Sequence, residues 1–297
     1  MGQSLNALSG RAAAAEASQP PPTPPGYAAA EARARELLAG PFSCYADEVK
    51  GTGAAMRQLF DAWDAAGPGA PPPAWDILRG RPGVRLKPIS WRELTGIVAD
   101  GSERALGALG RTPEQIKGYW DYRDRVILQE NASVADYLLL KVFGFPYEVN
   151  QADGKVSAVV PPGFFRNDSG DGSSVHGAGG SGAGAGHGSG AACSSAADGA
   201  ADGSFRLVTV WRENDFPYYL EPGITHMNLW ANRPLAPAEV EAAVTERVPP
   251  ASQHTWFVNT PTLQSVPAIW HAHVLWQQPT AADSSTALGA NAAVDGI

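Results

Sequence analysis

Apolar positions recur in two rhythms along this chain, a helical one in the front half and an alternating one in the back. From Lys87 to Phe145 the spacing predicts well-punctuated helices. Ser90-Trp91-Arg92-Glu93 reads as a capping box: the serine hydroxyl accepts from the Glu93 amide and the glutamate reaches back. Thr112-Pro113-Glu114-Gln115 repeats the logic, with Pro113 at the first helical position, where a missing N–H costs nothing. Ile116, Tyr119, Trp120, Val126 and Ile127 follow at near-helical spacing. A third helix starts at Ser133, carries Tyr137, Leu138 and Val142, and stops at Gly144. Two shorter helices are expected earlier, near 27–38 and 53–65, separated by Gly and Pro.

The rhythm changes at Phe205. Phe205 to Trp211 alternates apolar and polar residues, as a half-buried strand does. Asn214-Asp215-Phe216-Pro217-Tyr218 is turn chemistry, and after the Pro222-Gly223 turn a second strand runs from Ile224 to Trp230. A helix opened by Pro237 reaches Val248, and further strands cover Thr255–Asn259 and Trp270–Gln277. A block of helices followed by a block of strands predicts an α+β fold, its helical N-terminal half packed on an antiparallel sheet.

Composition limits how much of the chain joins that core. Of 297 residues, 33 are Gly and 25 Pro, gathered in a few stretches. Residues 1–87 read as a partly disordered, low-complexity leader with short helices, beginning with an Ala-rich run and a polyproline-type spacer at Pro20–Pro25. Residues 88–165 form the helical part of the core domain, and 205–279 the sheet part. Residues 166–204 read as a disordered Gly/Ser/Ala-rich insertion and 280–297 as a disordered tail, because Gly offers no surface to bury.

A net charge of −8 argues against nucleic-acid partners, since an acidic chain repels phosphate backbones. No apolar run has the length of a membrane span, so no membrane partner is expected. Cys44 and Cys193 are too few and too far apart for a disulfide framework, and a cytoplasmic location is expected.

Candidate chemistry centres on His271 and His273. In a strand, side chains two apart share a face, so both imidazoles point one way. Three explanations stay open at this point. One imidazole attacks phosphorus while its neighbour holds phosphate oxygens. The pair ligates a metal, with His226 or Asp215 as third ligand. Or it is a polar pair satisfied by backbone partners. Asn259 and Ser265 add short polar side chains close to the histidine strand. No G-x-S-x-G elbow supports a serine hydrolase at Ser265.

Several linked segments carry a resemblance. Thr112 to Tyr119, Ser133 to Leu138, Asn214 to His226, Trp256 to Asn259, Leu263 to Val266 and His271 to Leu275 together resemble the N-acetylglucosamine-induced protein family. That name describes an expression response and implies no substrate. A looser similarity joins Asn214–His226 and Gln264–His273 to the histidine-triad nucleotide hydrolases and transferases, whose middle histidine in His-x-His-x-His attacks the α-phosphate. This resemblance implies His273 as nucleophile and His271 as its supporting donor. It places Ser265 and Asn259 near phosphate oxygens, Asn214, Phe216 and Pro217 around the nucleotide, and His226 among the substrate-binding residues. Leu275 stands where a third histidine belongs, and Ala268-Ile269-Trp270 lie as extra residues before the pair.

The expected function is therefore a nucleotide or phosphoester hydrolase or transferase with a small phosphorylated ligand and no cofactor. The alternatives are a non-catalytic nucleotide- or sugar-phosphate-binding protein using the same pocket, and a metal-dependent enzyme.

Overall fold

The computed structural model describes residues 22–166 and 205–278. Helices α1 (Tyr27–Leu38) and α2 (Tyr45–Ala66) open it, followed by α3 (Trp91–Asp100), α4 (Glu103–Leu106) and α5 (Pro113–Tyr122). A π-helical turn, Arg123–Ile127, leads into the short α6 (Leu128–Glu130) and α7 (Val134–Leu138). The hairpin β1 (Tyr147–Val149) and β2 (Val156–Ala158) comes next, then β3 (Thr209–Glu213), β4 (Ile224–Ala231), α8 (Pro237–Arg247), β5 (Gln253–Phe257) and β6 (His271–Gln277). The fold is α+β, with a four-stranded antiparallel sheet in the order β3-β4-β6-β5. Among the described residues no helix is long and apolar enough to cross a membrane.

Several local expectations are met and others shift for identifiable reasons. At α5 the Thr112 capping box closes in both directions, with Gln115 Oε1 accepting from the Thr112 amide at 2.9 Å. At α3 it closes only halfway. Ser90 accepts from Glu93, but the Glu93 carboxylate turns to Arg85 at 2.7 Å instead of back to the chain. The strand expected from Phe205 begins only at Thr209, because the Asn232 side chain takes the backbone partners of the preceding segment. Its Oδ1 accepts from Val208 N–H and its Nδ2 donates to the carbonyls of Arg206 and Phe164.

The segment read as a leader with short helices contains a 22-residue helix, α2. Its Ala55, Met56, Leu59 and Phe60 bury against Ala34 and Leu38 of α1, with Leu78, Val84 and Ile116 completing the cluster. The Gly-rich stretch from 167 to 204, with His176, His187 and Cys193, lies outside the described residues, as do 1–21 and 279–297.

The sheet is covered on both faces. On one, Leu229, Ala272 and Val274 pack under Val240 and Val244 of α8. The opposite face carries His226, Asn228 and Trp230 from β4 beside His271, His273 and Leu275 from β6. Two clusters cover it. Leu94, Leu106 and Leu109 sit over Leu275 and Phe257 at one end, and Leu139, Val266 and Ile269 sit around Trp230 at the other. Each fully buried leucine contributes about 2–3 kcal/mol of apolar burial. The two clusters part over the polar middle of the sheet.

Candidate functional site

The site lies in that gap. Register sets His273 beside Asn228 and His271 beside Trp230 on β4, and Phe257 beside His273 on β5. His271 stacks on Trp230 with ring centroids 4.4 Å apart, and His273 stacks on Phe257 at 5.0 Å. The two imidazoles stand edge to face at 5.2 Å. Both line a cavity of about 260 Å³. All three histidines on this face are buried, His226 most deeply.

His226, His273 and Asn259 form a hydrogen-bonded relay. His226 Nε2 lies 3.0 Å from His273 Nδ1, and His273 Nε2 lies 2.9 Å from the Asn259 carboxamide. Two proton arrangements are open to it, each leaving one contact of His226 donor against donor. In one, the Asn214 Nδ2 at 3.2 Å donates to a bare His226 Nε2, which also accepts from His273 Nδ1–H. The orientation of Asn214 supports this, because its Oδ1 is occupied by the Phe216 N–H at 2.9 Å. In the other, His226 Nδ1 accepts from the Tyr218 N–H at 3.4 Å and every later bond reverses. In both arrangements each nitrogen of His273 has a partner.

His271 is held differently. Its Nδ1 donates to the Ile269 carbonyl at 3.1 Å, which fixes that nitrogen as the protonated one. Nε2 is then the bare nitrogen of a ring that lines the cavity.

Burial keeps all three rings neutral. It lowers His226 to about 3, with the nearby Arg111 charge adding to the effect. His273 falls well below the usual histidine range, first by burial and then by the repulsion a proton on it would meet from protonated His226 or His271 and from the Arg111 charge. His271 is lowered by burial, partly opposed by its bond to Ile269.

Arg111 is the cation of the cavity. It leaves the chain just before the Thr112 cap of α5, and its backbone bridges to Val84. The guanidinium Nε donates to the Phe216 carbonyl at 2.9 Å, and Nη2 donates to the same oxygen. Its Cζ stands 5.1 Å from the Tyr218 ring centre and 5.9 Å from that of Tyr119. Burial lowers its pKa, while Tyr218 and Tyr119 oppose that shift. An arginine remains charged even so. Among the described residues no carboxylate pairs with it. A half-buried cation held by a carbonyl and two aromatic faces, with no carboxylate partner, suits an anionic ligand.

The residues expected from sequence fall into four groups. His271, His273, Asn214, Phe216, Asn259 and Ser265 all line the one cavity, with Ser265 exposed at its mouth. His226 stands behind His273 and touches the cavity only through the relay. Pro217 lines a neighbouring hollow instead. Asp215 does not approach the histidines as a ligand: its carboxylate pairs with Lys141 at 2.8 Å. Among the described residues no group of three or more His, Cys, Asp or Glu side chains is placed to hold a metal ion.

Arg111, Asn228, Tyr218 and Trp230 also line the cavity and had no site role in the sequence reading. The β4 pair was within reach, because period two puts Asn228 and Trp230 on the His226 face. Arg111 offered no pattern.

Comparison with known proteins places the chain. The family model described as "Protein of unknown function (DUF3605)" matches residues 90–249, more than half of the sequence. The chain belongs to this family. The DUF3605 match runs from the cap of α3 to just past α8 and ends before β6 and its histidines. The uncharacterized protein YPL067C of Saccharomyces cerevisiae is 39% identical over 97 residues, which cover 26% of this chain. That match takes in 49% of the yeast protein, so the chain spans about half the length of the curated relative it matches. A solved structure titled "Crystal Structure of HTC1" aligns over 68% of this chain and 94% of its own, at 20% identity and a TM-score of 0.35.

Proposed function

We propose that this DUF3605 chain binds a small phosphorylated molecule at Arg111 and transfers or hydrolyses its phosphoryl or nucleotidyl group through His271. The observation that carries the reading is the hydrogen bond from His271 Nδ1 to the Ile269 carbonyl, in a cavity also lined by a guanidinium that no carboxylate among the described residues neutralises. A neutral imidazole with one nitrogen tied down presents the other as a lone pair ready for phosphorus.

The step balances simply. His271 Nε2 forms a bond to phosphorus as the P–O or P–N bond to the leaving group breaks, and the leaving group takes a proton from solvent. The ring becomes cationic, and the Ile269 carbonyl supports the charge on Nδ1–H. Water then cleaves the N–P bond and restores the imidazole. Arg111 and the Asn228 side chain are the groups that face phosphate oxygens. His273 is a positioning residue in this scheme, since both of its nitrogens are already engaged. The nucleophile therefore moves from His273 to His271 relative to the role that the histidine-triad likeness implied, while the chemistry stays of that kind. The same reading takes the protein as a cytoplasmic member of the N-acetylglucosamine-induced group, with a free metabolite as its ligand.

The test compares wild type, His271→Asn and His273→Asn on a nucleoside phosphoramidate and a dinucleoside polyphosphate. His271→Asn is expected to lower turnover at least a thousandfold, and His273→Asn far less. Acid-labile nucleotidylation should map by mass spectrometry to the peptide bearing His271. Equal turnover in wild type and His271→Asn removes the proposal.

A further inference from the structure

One wall of the histidine cavity is a phenol, Tyr137. Helix α7 carries it and runs directly into a π-helical turn, Leu139–Phe143, which brings Lys141 four residues behind it. Val134 and Leu138 of the same helix also line the cavity, and both pack into the cluster of Trp230 and Ile269. Those two residues hold His271, one by stacking and the other by its carbonyl. The phenol is therefore presented by the element that buttresses the reactive ring.

Two donors converge on the Tyr137 oxygen. Lys141 Nζ donates to it at 2.7 Å, and the Tyr122 hydroxyl lies 3.1 Å away. An ammonium has no lone pair to offer, so the first bond runs one way only. With Tyr122 donating as well, Tyr137 accepts twice, and among the described residues no acceptor takes its own O–H. A hydroxyl placed like this keeps both contacts when its proton leaves, and both then face a negative oxygen.

Neither neighbour competes to give up a proton. Burial alone would lower Lys141, but its bonds to Asp215 and Tyr137 outweigh that and raise it above the usual lysine range. Tyr122 is raised too, first by its bond to Tyr137 and then by burial. The lysine is also fixed in place. Its Nζ donates to Asp215 at 2.8 Å, and its backbone carbonyl accepts from the Arg212 guanidinium at 2.6 Å.

We infer that Tyr137 is the general acid and base of the site, giving its proton to the leaving group and recovering one from water. The inference rests on the transfer reading of His271 and names the group that carries the proton solvent supplies there. In the first step His271 Nε2 bonds to phosphorus, the P–O bond breaks, and the departing oxygen takes the Tyr137 proton. Lys141 and Tyr122 hold the phenolate that remains. In the second, the phenolate takes a proton from the attacking water as the N–P bond breaks, so phenol and neutral imidazole return together. Tyr137 is the catalytic residue, and Lys141 acts through it as a positioning residue.

Two esters of AMP, the 4-nitrophenyl and the ethyl, test this on the full chain. 4-Nitrophenolate leaves without a proton, whereas ethoxide needs one. Alcohol release with enzyme in excess reads the first step alone. Tyr137→Phe is expected to slow ethanol release by about a hundredfold or more and 4-nitrophenol release by less than about threefold. Lys141→Gln should show the same selectivity more weakly, and adding it to Tyr137→Phe should slow ethanol release little further. Multiplying losses in the double variant would overturn the part given to Lys141. Equal losses on the two esters in Tyr137→Phe overturn the inference, because a structural role slows both alike. Unchanged ethanol release in that variant does the same, as does a wild type that releases 4-nitrophenol but no ethanol. In each of those cases 4-nitrophenol release that depends on His271 leaves the transfer reading standing. If wild type releases neither alcohol, or His271→Asn matches it, both fall.

Discussion

Three buried imidazoles beside one guanidinium set how this protein responds to acid. His226 is held near 3 in the folded chain, against about 6.5 for an exposed histidine, and His273 is lowered as well. Below pH 6.5 the unfolded chain takes up protons that the folded chain refuses. Stability is therefore full above that pH and falls as pH drops from 6.5 toward 3, by up to about 1.4 kcal/mol per pH unit for each such ring. Urea midpoints measured at pH 7.5, 6 and 5 should decline in that order, and a flat series would contradict the neutral relay. Nucleophilic activity of His271 should persist below pH 6.5 for the same reason, since its lowered pKa keeps Nε2 bare. The histidine pair and its shared face were legible from spacing alone. Arg111 was not, because one arginine between Gly110 and Thr112 makes no pattern until the fold brings the Phe216 carbonyl to it.

Among the elements, α5 and the strand-like segment before α3 have the closest hold on the site. The Thr112 capping box fixes the backbone from which Arg111 departs. Thr112→Ala is expected to cost about 1 kcal/mol, read by chemical denaturation, and to weaken anion binding as Arg111 loosens. Gly110 is a tighter constraint: a Cβ there would lie 2.4 Å from the Gly83 carbonyl group. Gly110→Ala must push that backbone aside, for about 1–3 kcal/mol. It should also break the bond from Arg111 N–H to the Gly83 carbonyl and lower phosphate affinity more than Thr112→Ala does. Helix starts were readable because caps are short and local. The β1–β2 hairpin was not, since three-residue, exposed strands leave no alternation to detect.

Across the whole molecule, the cavity sits where separate apolar clusters fail to meet over the sheet. The helical front has its own cluster around Leu59, yet Val84 and Ile116 belong to that cluster and flank Arg111 in space and sequence. Leu59→Ala, expected to cost about 2–5 kcal/mol, should therefore lower the melting temperature and the anion affinity together, although it touches no ligand. A variant that melts earlier but binds unchanged would show the front helices to be independent of the site. The division into helices and sheet was visible in the sequence, but the space between their clusters was not, because it depends on which side chains stop short of one another. Ile269 shows how durable the arrangement is. Its side chain fills a cluster, while its carbonyl sets the tautomer of His271. Every amino acid brings a carbonyl, so a substitution at 269 that packs equally well should leave the orientation of the His271 ring unchanged.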